Sequence, residues 1–232
     1  YSLFMRYYLL LFFTVTFVFS SFSKTEEKLS QLPFDAIRDS IHKYKFSDRP
    51  KAIKAAEAYI LKGKREKNKT EEWLGMESIA LIYVRFRLYK EANEQAEKTL
   101  EFAKNNNLPK LEMRSLSLLG DLQKAVTTVD KQLFYYSKLL QLAKAHNNEM
   151  YRETALNKIA AVQDFSGNTG KAINTYKKSL AYYQNKPLDS NFNQIKKNSS
   201  IISIYSSLAI SHLKLNQLDS AKLYSTNIKK FK

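Results

Sequence analysis

Small and apolar residues return at intervals of three and four along almost the whole chain. In KAINTYKKSL, residues 171–180, Ala172, Tyr176 and Ser179 stand at positions 0, +4 and +7, one face of an α-helix, while Lys171, Lys177 and Lys178 fall away from that face. The same decamer pattern is written at 51–60 (KAIKAAEAYI), within 90–100 (KEANEQAEKTL), at 131–140 (KQLFYYSKLL) and at 220–229 (SAKLYSTNIK). Its anchors are Ala52, Ala92, Gln132, Ala172 and Ala221; the first four are 40 residues apart and the last step is 49. A fixed period in this range predicts a stacked-repeat architecture.

A second pattern precedes each anchor by twelve residues, with small side chains at Ser40, Ala80, Gly120, Ala160 and Ala209. Apolar residues flank them at Ile79, Leu119, Ile159 and Leu208, and four residues upstream at Met76, Leu116, Leu156 and Tyr205. A small residue at a helix crossing lets two backbones approach, and its apolar neighbours fill the space around the contact. Each repeat therefore predicts an antiparallel helix pair. Punctuation sets the bounds: Pro33, Pro50 and Asp130 near helix starts, Asn105 to Pro109, Asn147-Asn148 and Gly167 to Gly170 at turns, and a nine-residue insertion at Pro187 to Asn193. The ten predicted helices cover about 33–46, 49–66, 70–86, 89–105, 109–127, 130–146, 149–165, 169–185, 193–214 and 218–230. Turn dipeptides such as Asn-Gly are absent and strand-length alternation is scarce, so the expected class is all-α.

The two patterns together, large–x–x–apolar–small and then Ala–x–x–x–aromatic–x–x–small, resemble the tetratricopeptide repeat (TPR) over roughly residues 33–230. Gly120 with Tyr136, and Ala160 with Gly167, Ala172 and Tyr176, carry the likeness. The resemblance implies a right-handed superhelical solenoid of about five helix pairs, units 33–66, 70–105, 109–146, 149–185 and 193–230, following an N-terminal apolar segment. The 40-residue period exceeds the family's and implies helices longer by almost a turn. Gln132 stands where Ala is usual, and Gln123, Gln163 and His212 stand where the first helix usually carries Tyr. Ile37, Ile41 and Tyr44 sit one residue out of register, as a terminal unit without a preceding neighbour would.

Outside the repeats, Met5 and Arg6 precede an apolar run from Tyr7 to Phe19, with Ser20 to Ser23 and Lys24 after it. Residues 1–23 read as a signal peptide cleaved after Ser23 or as a retained anchor, which places the repeats outside the cytoplasm, periplasmic or held at the inner membrane. At the other end, Leu218, Leu223, Tyr224, Ile228 and Phe231 make the last helix apolar for a terminal surface, so further sequence is expected beyond it.

The chain has no Cys, which excludes disulfides and thiol chemistry. Its net charge of +16 is spread over Lys residues on polar helix faces without a nucleic-acid motif, so no nucleic-acid partner is expected. His42, His146 and His212 lack metal-ligand spacing, and no phosphate loop or nucleophile elbow is present. No enzyme activity, metal or cofactor is expected. Asn68-Lys69-Thr70 and Asn198-Ser199-Ser200 match the glycosylation acceptor pattern, as chance provides in an Asn-rich chain. The repeated positions make Tyr136 and Tyr176 core residues rather than a stacking platform.

What remains is binding. The resemblance implies that the outward face of each first helix lines a groove for a protein or peptide, and register assigns to it Glu77, Arg85, Arg114, Asp121, Lys124, Asn157, Asp164 and Lys214, with Ala161 and Ile210 among them. No paired Lys and Asn clamp for a terminal carboxylate is present. The order of segments is also similar to the N-terminal half of Bacteroidetes-type membrane-associated regulators with an AraC-type helix-turn-helix, where the repeat region is the input domain. A free-standing envelope scaffold and the adaptor of an envelope enzyme are the alternatives, with membrane association through residues 7–23.

Overall fold

The computed structural model describes residues 24–126, 129–189 and 192–231; the proposed signal or anchor, residues 1–23, lies outside them. The described residues form eleven α-helices and no strand: α1 Lys24–Leu29, α2 Phe34–Tyr44, α3 Arg49–Arg65, α4 Lys69–Arg85, α5 Tyr89–Asn105, α6 Pro109–Val126, α7 Val129–Ala145, α8 Glu149–Phe165, α9 Thr169–Asn185, α10 Gln194–Lys214 and α11 Leu218–Ile228, closed by a short 3₁₀ turn at Lys229–Phe231. The ten predicted helices are α2 to α11. The chain divides into two compact units at Leu108 and Pro109. None of the described helices is long and apolar enough to cross a membrane.

The 40-residue period has a simple local origin. The helices α3, α4, α5, α7, α8 and α9 are each 17 residues long. Three-residue turns join them, and the amide after the left-handed residue reaches back to a carbonyl five residues earlier: Asn68 to Gly63, Leu88 to Tyr83, Leu108 to Ala103, Asn148 to Ala143 and Asn168 to Gln163, at 2.8–2.9 Å. The left-handed residues are Lys67, Arg87, Asn107, Asn147 and Gly167, with Asn216 repeating the device before α11. This closes the orphan carbonyls of each helix end. Asn68 and Asn148 then serve as N-caps, accepting from the amides of Glu71 at 3.2 Å and Tyr151 at 3.1 Å.

In the unit 24–108 the anchors Ala52, Ala56, Ala92 and Ala96 are fully buried, as is Ala80. Gly63 and Gly75, which the repeat pattern did not single out, set the α3–α4 crossing. A Cβ on Gly63 would meet the backbone nitrogen of Glu72 at 2.6 Å, and one on Gly75 the side chain of Ile60 at 2.6 Å. Ile37 and Ile41 of α2 are buried against this layer, so the out-of-register terminal helix still supplies core. The short helix α1, which periodicity did not reveal, packs on α3; Arg65 donates to Ser30 Oγ at 2.8 Å and pairs with Glu27 at 3.3 Å.

In the unit 109–231 the anchors Ala172 and Ala221 are buried, and one crossing is set by a glycine. A Cβ on Gly120 would lie 2.2 Å from Cε1 of Tyr136, so the tyrosine ring packs flat against the α6 backbone, the close approach that the small-residue pattern required. The insertion is tied to the core: Phe192 is buried beside Tyr183, ring centroids 5.9 Å apart, and its amide donates to Asp189 Oδ1 at 2.8 Å. The last helix departs from the predicted stripe. Ala221 is buried and Ile228 at +7 packs on the core as the stripe predicts, but Ser225 at +4 is exposed; Tyr224, with Phe231 of the following 3₁₀ turn, completes the contact, leaving Leu218 and Leu223 in solvent.

Candidate functional site

Within the unit 109–231 the first helices of three successive pairs, α6, α8 and α10, bound a cleft of about 550 Å³, with α7 and α9 supplying its floor. Four of the groove residues read from the repeat register meet there: Asp121 and Lys124 of α6, Asp164 of α8 and Lys214 of α10. Ala161 and Ile210 line it too. A second cleft of about 400 Å³ shares Lys158, Ala161, Tyr176 and Ser207 with the first and adds Asn157, so the two are one continuous channel along α8 and α10.

The remaining register residues go elsewhere. Arg114 lies in a separate cleft at the helix starts. Glu77 and Arg85 belong to α4 in the other unit, where Glu77 is buried and Arg85 is exposed, its guanidinium 4.9 Å from the centroid of the Phe46 ring.

The channel's polar groups are fixed from below. Lys158 Nζ donates to both carboxylate oxygens of Asp121, at 2.6 and 2.7 Å, and the Tyr136 hydroxyl donates to Asp121 Oδ1 at 2.8 Å. The same ring that packs on Gly120 thus orients an acid on the open face. Burial, with the Asp121 charge beside it, drives the Tyr136 hydroxyl well above its ordinary pKa, so it remains a donor. Asp164 is 8% exposed; Ser211 Oγ donates to its Oδ2 at 2.9 Å, and Lys214 reaches Oδ2 at 3.1 Å and the backbone oxygen at 3.2 Å. Burial pushes Asp164 upward, but the side-chain hydrogen bonds around it, those of Ser211 and Lys214 among them, outweigh that and hold it below the usual carboxylate value. Tyr176 is raised to about 12, chiefly by burial.

Each carboxylate of the first cleft therefore has its own lysine, and Lys124 is the surplus cation, with three lysines against two aspartates in the lining. In the second cleft Asn157 Oδ1 is buried without a hydrogen-bond partner among the described residues, an acceptor whose need is unmet. Thr154, Ser199, Ser200, Ser203 and Ser207 line the same cleft. The arrangement offers alternating charge, donors, acceptors and apolar patches along an extended path, which suits main-chain and side-chain recognition of a polypeptide.

Sequence reasoning missed Lys158, Ser207 and the exposed Phe165, all of which line the first cleft. The register position of Lys158 is held by Ser78 and Leu118 in the preceding pairs, so the repeat gave no signal for it. The insertion's contribution to the Arg114 cleft was likewise invisible, because it lies outside the period.

No family model matches the chain, and no curated protein matches it in sequence. Solved structures do match. BtubC (BKLC) from P. vanneervenii superposes with a TM-score of 0.59 at 12% identity, covering 91% of each chain. A kinesin light chain-like protein of Podosopora anserina, with nearly identical TPR-like repeats, gives 0.61 at 14% identity over 88% of this chain and 95% of its own. Aspartyl phosphate phosphatase F from Bacillus subtilis gives 0.58 at 14% identity over 90% of this chain and 61% of its own. The fold is that of a TPR-like helical repeat array.

Proposed function

We propose that the chain is a protein-recognition module that holds an extended peptide segment of a partner in the channel along α8 and α10. The observation that carries this reading is the convergence of Asp121, Lys124, Lys158, Asp164 and Lys214 from three successive first helices onto one cleft, with every acid already oriented by a buried partner. Rigid, pre-oriented polar groups lower the ordering cost of binding. A TPR-like fold and a neighbour described as a Rap protein complexed with Competence and Sporulation Factor support a peptide-binding role.

The apolar run Tyr7–Phe19, flanked by Arg6 and Lys24, supports placing the module outside the cytoplasm, and the order of segments supports its being the input region of a longer envelope regulator. The binding claim stands independently of that placement.

The test is selection from a random peptide display library on the purified chain, followed by affinity measurement against Ala161→Trp, which fills the channel at an exposed position. Selected peptides should lose at least tenfold in affinity while helicity and melting temperature stay at wild-type values. Peptides whose affinity survives Ala161→Trp would sink the channel as the binding site.

A further inference from the structure

The N-terminal ends of α6, α8 and α10 meet in a further cleft of about 590 Å³ that the peptide channel does not include. Its lining holds four cations, Lys110, Arg114, Lys186 and Lys196, against two carboxylates, Glu149 and Asp189, a surplus of basic over acidic side chains. Lys186, Asp189 and Phe192 build one wall, with Phe192 buried in the core, and Lys196 follows in the first turn of α10.

That wall is held in place. Lys197 Nζ donates to the Lys186 carbonyl at 3.0 Å, and the Lys186 ammonium lies 5.6 Å from the centroids of both the Tyr182 and Phe192 rings. Of the two acids, Asp189 is committed to the Phe192 amide at 2.8 Å and Glu149 accepts from the Tyr182 hydroxyl at 3.3 Å. Three helix N-termini also point their partial positive charge at this edge, whereas the peptide channel lies against the later turns of the same helices. In repeat proteins an insertion that breaks the period usually lies on a binding face. Here the single step of 49 residues instead of 40 coincides with the most cationic cleft of the three.

We infer that this cleft is a second recognition site, for an acidic segment of a protein partner, with Lys110, Arg114, Lys186 and Lys196 meeting its carboxylates and the wall of Lys186, Asp189 and Phe192 giving specificity. A peptide is favoured over a nucleic acid because the lining interleaves its cations with two carboxylates and with Leu111 and Met150, a mixed surface that suits side chains and repels a continuous phosphate run. The site holds whether or not the channel along α8 and α10 binds a peptide.

The experiment titrates the full chain with fluorescein-labelled hexaglutamate, followed by anisotropy at low and physiological salt. Because the whole chain carries +16, the decisive comparison is between two double variants of equal charge change. Lys110→Glu with Lys186→Glu alters the cleft; Lys138→Glu with Lys171→Glu alters exposed positions outside the clefts described. The first should weaken binding about tenfold, as attraction becomes like-charge repulsion, and the second should leave it nearly unchanged. Should the first fail to fold, Lys110→Glu alone, at an exposed helix start, is expected to show a smaller loss in the same direction. Equal loss in both double variants would reduce the effect to diffuse charge. Tighter binding of a thymidine oligonucleotide with the same sensitivity would assign the cleft to nucleic acid, and displacement by inorganic phosphate at equal charge would make it a small-anion site; each of these results overturns the proposal.

Discussion

The pair α4–α5 in one unit and the pair α8–α9 in the other occupy the same register, yet their interiors are built from opposite chemistry. Trp73 is fully buried and donates its indole N–H to the Thr99 carbonyl at 3.0 Å. Two repeats on, the corresponding residues are Glu153 and Ser179, also buried, with the Ser179 hydroxyl donating to Glu153 Oε2 at 2.7 Å. Between them, Met113 and Leu139 fill the same two positions with apolar side chains. The repeat thus fixes where two helices must touch, while the means of filling the contact is free. That freedom lets the unit 109–231 carry Tyr136, Tyr176 and their polar partners beneath an open face.

The sharpest way to break the comparison is Trp73→Ala. It should cost about 3–5 kcal/mol, measured by urea unfolding followed by circular dichroism, since a large buried ring and its hydrogen bond are lost. A cost below about 1 kcal/mol would mean that Trp73 is not the anchor of its pair.

Gly120→Ala should cost about 1–3 kcal/mol by overpacking against the Tyr136 ring, and a Gly120→Ala, Tyr136→Leu double variant should recover part of the loss relative to the sum of the single changes. Strict additivity would contradict the close approach. The turns differ as well: Lys67 and Arg87 adopt φ of 52° and 58° where Asn and Gly stand in other turns. Lys67→Gly is therefore expected to raise stability by roughly 0.5–1 kcal/mol in thermal melts, through relief of left-handed strain.

Grafting the apolar pair into the polar one, Glu153→Met with Ser179→Leu, should change stability by less than about 1.5 kcal/mol, because the two buried partners are replaced together and Arg152, which pairs with Glu153 at 3.2 Å, is exposed enough to turn to water. Smallest is Glu57→Gln. Burial, aided by the nearby Glu26 charge, raises the Glu57 carboxyl above its usual value, so the folded state binds that proton more tightly than the unfolded state does. The stabilising contribution is present at acid pH and lost as pH rises through the raised value. The Gln variant should thus melt slightly above wild type at neutral pH, and the advantage should vanish toward acid.

Much of the fold was legible because the buried stripe repeats every 40 residues and proline, asparagine and glycine mark its breaks. What periodicity cannot show is whatever occurs once. The helix α1, the plug Phe192 and the inward turn of Tyr224 and Phe231 are of this kind. The candidate site divided in the same way. Asp121, Lys124, Asp164 and Lys214 could be placed from register, whereas Lys158 replaces a serine and a leucine of earlier pairs and announces itself only once its ammonium is seen against Asp121.

The central claim is that the channel along α8 and α10 binds an extended peptide. Amide chemical-shift mapping on the ¹⁵N-labelled chain, titrated with a library-selected peptide, tests it most directly. Perturbations should concentrate at Lys124, Asn157, Lys158, Ala161 and Ile210; perturbations confined to the exposed faces of α7 and α9 or to the interhelical turns would contradict the account.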